Sequence, residues 1–102
     1  MGAHSTPPER VTLLRSIRVA HSGNSAPRQC ARFLEALERL GSVTTAEAAR
    51  FLDVYDPPAR KRDLVHRGHN ITMVWDRGET ESGETHRVGR YCIVAGAQAC
   101  LF

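Results

Sequence analysis

The chain has 102 residues, and 41% of them are hydrophobic, which is typical of one soluble domain with a modest core. No apolar run approaches the roughly 18 residues that a membrane-spanning helix needs. Residues 1–8 lack the charged-then-apolar pattern of a signal peptide, so we expect a cytoplasmic protein with no membrane partner.

The formal net charge is +3, and 13 of the 14 basic residues are arginine. Three arginines against one glutamate give residues 1–24 a net charge of +2, and eight basic against six acidic residues give 25–68 the same value. Three arginines against four acidic residues leave 69–102 at −1. The positive charge therefore lies in the first two thirds of the chain, and it suits a nucleic-acid partner.

The reactive residue types do not form a catalytic or metal-binding pattern. Cys30, Cys92 and Cys100 include no C-x-x-C pair, so we expect reduced thiols, with the first two as small core residues. His66 and His69 have the spacing of one helix face, but a helix end is expected between them, which argues against zinc. The sequence also lacks a G-x-S-x-G motif and a glycine-rich phosphate loop. We therefore expect neither a cofactor nor an enzymatic activity.

Residues 1–24 are interpreted as an N-terminal extension that contains one helix over 7–20. Thr6 is the predicted N-cap, and Glu9 three residues later completes a capping box. A strand through residues 11–19 is the competing interpretation, because valine and isoleucine favour strands.

The apolar side of this first helix has two alternative partners. Leu13, Leu14 and Ile17 fall at helical spacing on one side. They predict either a homodimer contact, since specific DNA sites are usually read by dimers, or docking of the helix on its own domain.

Residues 26–40 have the pattern of an amphipathic helix that Pro27 opens and Gly41 closes. The apolar stripe, expected in the core, consists of Cys30, Phe33, Leu34, Leu37 and Leu40. The polar residues predicted on the opposite side are Arg28, Arg32, Glu35, Glu38 and Arg39. Val43, in the short turn that follows, is expected to pack on the same core.

Two helix N-caps that lie close together indicate a helix-turn-helix unit. Thr44 and Glu47 form a capping box in front of a short, alanine-rich helix over 45–52. Asp56, twelve residues after the first cap, is a good N-cap for a helix over 57–67. In such a unit the second helix enters the major groove of DNA.

The second helix of this unit divides into two predicted faces. The core side is expected to carry Pro57, Pro58, Leu64 and Val65. The outer side is expected to carry Ala59, Arg62, Asp63 and His66, with Arg60 and Arg67 at its flanks. Lys61 falls in the middle of the apolar side, so either its stem runs along the core or the helix has a different phase.

An outer face with arginine and histidine suits base edges and phosphates, because arginine can pair with guanine. A charged face that is merely solvated is the alternative. Asp63 would repel phosphate, so we expect it to pair with Arg60 or Arg67, or to accept from a cytosine amino group.

The C-terminal third predicts an antiparallel hairpin. Ile71, Met73 and Trp75 point to one face of a half-buried strand, and the residues between them point to the other face. Residues 85–94 are predicted to form the partner strand, with a bulge at Gly89. Arg87 and Arg90 on the second strand are expected to contact the DNA backbone. The connecting loop carries Glu79, Glu81 and Glu84, which should repel phosphate, so the acidic tip is a candidate contact for a protein partner.

Residues 33–93 resemble the small winged helix-turn-helix domains that are common in phage and prophage proteins. The similarity rests on FLEALERLGSVTTAEAARFL, PPARKRDLVHRGHNI and VGRYCI. The resemblance implies an α+β fold with a three-helix core and a C-terminal β-hairpin wing, here over 25–95, preceded by an extra N-terminal helix and followed by a tail at 96–102.

The function expected from these features is double-stranded DNA binding by a phage or prophage transcriptional regulator or recombination accessory factor. The residues predicted to contact DNA are Arg60, Arg62, His66, Arg67, Arg87 and Arg90. The alternative is a protein-interaction module on the same scaffold, such as a phage-encoded inhibitor of a host complex.

Overall fold

The computed structural model of the protein describes residues 7–79 and 85–94, with side chains at 7–76 and 88–94. The elements in chain order are α1 (Pro8–Ala20), α2 (Ala26–Leu40), β1 (Ser42–Thr44), α3 (Thr45–Arg50), α4 (Pro57–His66), β2 (Ile71–Glu79) and β3 (Thr85–Ile93). Helices followed by an antiparallel hairpin confirm the α+β class, and α1 is the predicted extra helix.

The N-terminal segment is a helix, so the competing strand over residues 11–19 is wrong. Pro7 occupies the N-cap position, and among the residues that the structure describes no side chain caps this end of the helix. Pro7 therefore holds the position that was predicted for Thr6, and the predicted capping box involves Thr6, which lies outside the described residues.

The apolar side of α1 packs into the core of its own domain. The exposed fractions are 0% for Leu14 and 1% for Ile17, while Leu13 packs partly buried against them. Burial of each such side chain stabilises the fold by about 2 kcal/mol. This packing agrees with the predicted docking of α1 on its own domain, and no finding shows the homodimer contact that was the alternative.

The predicted amphipathic helix is confirmed as α2, which Ser25 caps by accepting a hydrogen bond from the Arg28 backbone. Its stripe lies in the core, with Phe33 and Leu37 fully buried. The placement of Arg32 on the solvent side is wrong, since this side chain is 1% exposed.

Backbone carbonyls accept hydrogen bonds from both terminal nitrogens of the Arg32 guanidinium, which allows this side chain to be buried. It donates to the carbonyl oxygens of His21, Gly23 and Asp53 at 2.8, 2.6 and 2.9 Å. Asp53 has a positive φ of 55°, a conformation that non-glycine residues rarely adopt. The arginine thus ties the end of α1 to α2 and to the loop before α4.

The two predicted caps around the turn are confirmed. Thr44 and Glu47 form the capping box of α3, and the Asp56 side chain accepts a hydrogen bond from the Ala59 backbone at the start of α4. α3 ends at Arg50, two residues earlier than predicted. α4 ends at His66, one residue earlier than predicted, and Gly68 follows it with a φ of 96°.

The sheet contains a strand that the sequence did not predict. β1 occupies the segment interpreted as a turn, and it pairs with β3 so that Val43 lies opposite Tyr91. The strand order is β1-β3-β2, and every pairing is antiparallel. The predicted hairpin is confirmed, but Gly89 pairs in register with Trp75 and forms no bulge.

Gly89 instead marks a close approach between the sheet and α3. A Cβ at this position would lie 2.8 Å from Oγ1 of Thr45, whose hydroxyl donates to the Gly89 carbonyl at 3.3 Å. Nearby, the rings of Phe33 and Tyr91 meet edge to face with their centroids 5.3 Å apart. These contacts join α3 and α2 to β3 of the sheet.

The cysteines differ in their chemical state. Cys30 is a buried free thiol, as predicted. Cys92 is also buried, but it is disulfide-bonded, so the prediction of a reduced thiol is wrong at this position. Spacing along the chain does not show which thiols approach each other in the fold, and Cys100 lies outside the described residues.

Candidate nucleic-acid interface

The outer face of α4 presents Arg62 and His66, and Arg67 follows at the C-cap of the helix. Arg62, His66 and Arg67 are exposed, whereas Pro57 and Leu64 are buried against the core. Arg62 and His66 share a face because residues four apart in a helix lie one turn apart. Among the described side chains, none of these three is paired with a carboxylate, so their donors are directed to solvent.

The phase of α4 differs from the predicted one. Pro58 and Val65 were expected in the core but are exposed, and Ala59 was expected outside but is 8% exposed. The buried side is centred on Leu64, which leaves Lys61 half-buried at its edge. The predicted conflict at Lys61 therefore arose because two apolar residues that face outward had been assigned to the core.

Arg60 and Asp63 neutralise each other along the flank of the helix. Nε of Arg60 lies 2.9 Å from Oδ2 of Asp63, and the arginine side chain is 18% exposed. The same carboxylate oxygen lies 3.7 Å from Sγ of Cys30, which donates to it. Burial raises the pKa of the Cys30 thiol, so it remains a neutral donor. Asp63 thus takes the first of its three predicted partners, and Arg60 is held against the domain.

Of the two hairpin arginines predicted to contact DNA, one is paired with a carboxylate and the other has a side chain outside the described residues. Arg90 is 21% exposed and is committed to the sheet, with Nη2 3.1 Å from Oδ2 of Asp76 and Nη1 3.3 Å from Oγ of Ser42. Arg87 pairs with Arg77 in the β2–β3 register, but its side chain is outside the described set. The acidic tip falls at the edge of the described residues, since Glu81 and Glu84 and the side chain of Glu79 lie outside them.

A groove between α4 and the sheet is a feature that sequence reasoning missed. It has a volume of about 400 Å³ and is lined by Pro58, Lys61, Arg62, Val65, Met73 and Tyr91. Beside it, Trp75 is 58% exposed on the same sheet face as Met73. Burial raises the pKa of Tyr91, which stays a neutral phenol at the floor. The signal in the sequence was the pair Pro58 and Val65, seven residues apart on one side of α4.

The remaining site expectations concern metal ions and membranes. His66 and His69 are separated by the end of α4 and by the turn at Gly68, as the sequence predicted. Within residues 7–79 and 85–94, no three His, Cys, Asp or Glu side chains are grouped closely enough to hold a metal ion. The helices in this part of the chain are too short or too polar to cross a bilayer.

A comparison with protein-family models matches residues 28–96 to the winged helix-turn-helix domain. The match runs from α2 through β3 and so includes the capped pair α3–α4 and the hairpin, but it leaves out α1. Comparisons with curated proteins and with solved structures gave no match. Since the matched segment covers more than half of the sequence and contains every element of the predicted unit, the chain belongs to the winged helix-turn-helix domain family.

Proposed function

We propose that this domain binds double-stranded DNA and that α4 enters the major groove. The observation that carries the proposal is the solvent-facing side of α4, where Arg62 and His66 are exposed and Arg67 is exposed at the C-cap. Arginine presents a planar set of donors that matches guanine and phosphate. The helix–turn–helix arrangement of α3 and α4 is the kind of unit that docks in this way.

The structure narrows the set of residues that we propose for contact. Arg60 and Arg90 are each paired with a carboxylate and mostly buried, so we assign them to the support of α4 and of the sheet. Arg62, His66 and Arg67 remain in the proposed contact set, and Arg87 remains a proposed backbone contact from the hairpin. The physiological role that we propose, a phage or prophage regulator or recombination accessory factor, rests on the sequence resemblance.

The direct test is duplex binding by fluorescence anisotropy, first with a pool of random sequences and then with a duplex selected from that pool. We expect affinity to fall steeply as salt rises, with a slope near the number of phosphates contacted. Arg62→Ala should bind the selected duplex about tenfold more weakly than the unmodified protein, because one bidentate base contact is lost. Arg39→Ala, which removes the same charge from the exposed face of α2, is the matched control.

Two results would contradict the proposal. One is no binding to any duplex at low salt, and the other is an equal loss of affinity in Arg62→Ala and Arg39→Ala. The second result would mean that general charge, and not the face of α4, determines the affinity.

A second candidate function is docking of a protein, and the groove between α4 and the sheet favours it. An exposed Val65 and an exposed Trp75 beside an apolar groove are features of a protein-binding surface. A protein partner should show a weaker salt dependence than DNA does. Val65→Ala should then reduce partner binding, whereas Arg39→Ala should not.

A further inference from the structure

A second cationic surface lies outside α4, between α1 and the C-terminal end of α3. It is a cleft of about 420 Å³ lined by Arg15, Arg18, Arg50, Phe51 and Asp53, which we call the arginine cleft. Two of its arginines come from α1, which precedes the segment matched to the family. The cleft therefore exists only because α1 docks on the domain.

Two of these guanidinium groups are held in place by the same aromatic ring. The Cζ atoms of Arg15 and Arg50 lie 5.7 and 5.4 Å from the centroid of Phe51. Both distances are within the range of a cation–π contact. Phe51 is 8% exposed and belongs to the core, so the ring is a fixed platform. The two ring contacts restrict both guanidinium groups and so reduce the ordering that a ligand would have to impose.

The charge of the arginine cleft is not balanced by the described side chains. Asp53 is the single carboxylate among its lining residues. None of Arg15, Arg18 and Arg50 forms an ion pair with another described residue. The buried Arg32 lines a neighbouring cleft together with Arg18 and Asp53. It donates to three backbone carbonyls, and its Nε has no hydrogen-bond partner among the described groups.

We infer that the arginine cleft binds a phosphate group, supplied either by the DNA backbone or by a free phosphate-bearing molecule. Three arginines line one opening, and each guanidinium offers donors in a planar fork that matches phosphate oxygens. A phosphate would also relieve the repulsion among the arginines. The inference does not depend on α4 binding DNA, because the cleft is built from other residues.

The first experiment is an NMR titration of the whole chain with inorganic phosphate, with sodium chloride at equal ionic strength as reference. We expect saturable shifts of the Arg15, Arg18 and Arg50 side-chain signals and of Phe51. Arg18→Ala should weaken phosphate binding by about tenfold or more, because one charge-assisted contact is lost. Arg39→Ala, with the same change in charge, should bind as the unmodified protein does.

Arg18 is the informative position because it is exposed and has no ring contact in the structure. Arg50→Ala provides a second variant, with circular dichroism to verify its fold. Shifts that merely follow ionic strength, or an equal loss in Arg18→Ala and Arg39→Ala, would overturn the inference.

The second experiment identifies the source of the phosphate. If the cleft contacts a DNA backbone, Arg18→Ala should reduce the salt slope of duplex binding by about 1. An unchanged slope together with lost phosphate binding would assign the cleft to a free phosphate-bearing ligand. Should the chain bind no duplex at all, the phosphate titration still decides the inference by itself.

Discussion

The junction of α1 with α2 and the outer face of α4 both depend on arginine, but they use it in opposite ways. At the junction, Arg32 is 1% exposed and its donors meet backbone carbonyls. On α4, Arg62 is exposed and has no carboxylate partner among the described side chains. The formal charge counts both residues equally, yet only the second is available to a ligand. The difference teaches that the position of an arginine relative to the core decides its role.

The largest loss of stability should come from replacing the buried Arg32. Arg32→Ala should lower the free energy of unfolding by roughly 2 to 3 kcal/mol, because three partly buried carbonyls lose a charged donor. Urea denaturation measures this change. Arg62→Ala is the matched control from the other region, and its free energy of unfolding should stay within about 0.5 kcal/mol of the unmodified value. An equal loss of unfolding free energy in the two variants would contradict the conclusion that the buried and the exposed arginine have different roles.

A smaller loss of stability is expected at the N-terminal end of α1, where Arg10 ties this helix to α3 and β1. Its Nε and Nη2 atoms lie 2.8 and 3.0 Å from the two carboxylate oxygens of Glu47, and Nη2 donates to the Ser42 carbonyl at 2.7 Å. Arg10→Ala should lower the free energy of unfolding by roughly 1 to 2 kcal/mol, since the pair is bidentate and partly buried.

Thermal or urea unfolding would measure the Arg10 effect, with Arg39→Ala as the control. The Arg39 pair joins residues four apart on an exposed surface, and its loss should cost less than about 0.5 kcal/mol. A larger loss in the control than in Arg10→Ala would show that α1 is not held through this pair.

The smallest expected effect depends on pH and concerns Glu35, which accepts hydrogen bonds from His21 and Arg39. The His21 bond, followed by the Arg39 bond, lowers the pKa of Glu35 below its usual 4.5. A carboxyl whose pKa is lowered by folding adds stability above its unfolded-state pKa, and this stability is lost as the pH falls through the folded-state value.

Glu35→Gln should therefore be less stable than the unmodified protein at neutral pH, and the gap should close in acid below 4.5. Urea midpoints measured across this pH range provide the readout. A gap of constant size at every pH would mean that the ionised carboxylate does not contribute to holding the end of α1 against α2.

Local patterns predicted those parts of the fold whose causes are local. Thr44, Glu47 and Asp56 cap their helices as expected, because a cap needs only residues within one turn. The amphipathic stripe of α2 and the alternation of β2 were also readable, since each repeats with the period of its element. β1 escaped prediction because three residues carry too little pattern.

The candidate site was predictable only in outline. The sequence identified α4 as the exposed cationic helix and offered Arg60 as a partner of Asp63. It could not show that Arg90 turns to Asp76 or that the Cys30 thiol donates to Asp63. Those choices depend on partners that pack nearby in three dimensions. The outward position of Val65 was equally hidden, because an apolar residue on a helix is assigned to the core by default.

By itself, the sequence determined the caps at which α3 and α4 begin, which segments form the hairpin, and that positive charge accumulates ahead of it. Those properties follow from neighbouring residues, whose caps and periods act over a few positions. The tertiary structure decided which arginines are buried, that α1 docks on its own domain, and that three arginines line a cleft with Phe51. These outcomes depend on contacts between residues distant along the chain, because burial and pairing are properties of the packed core.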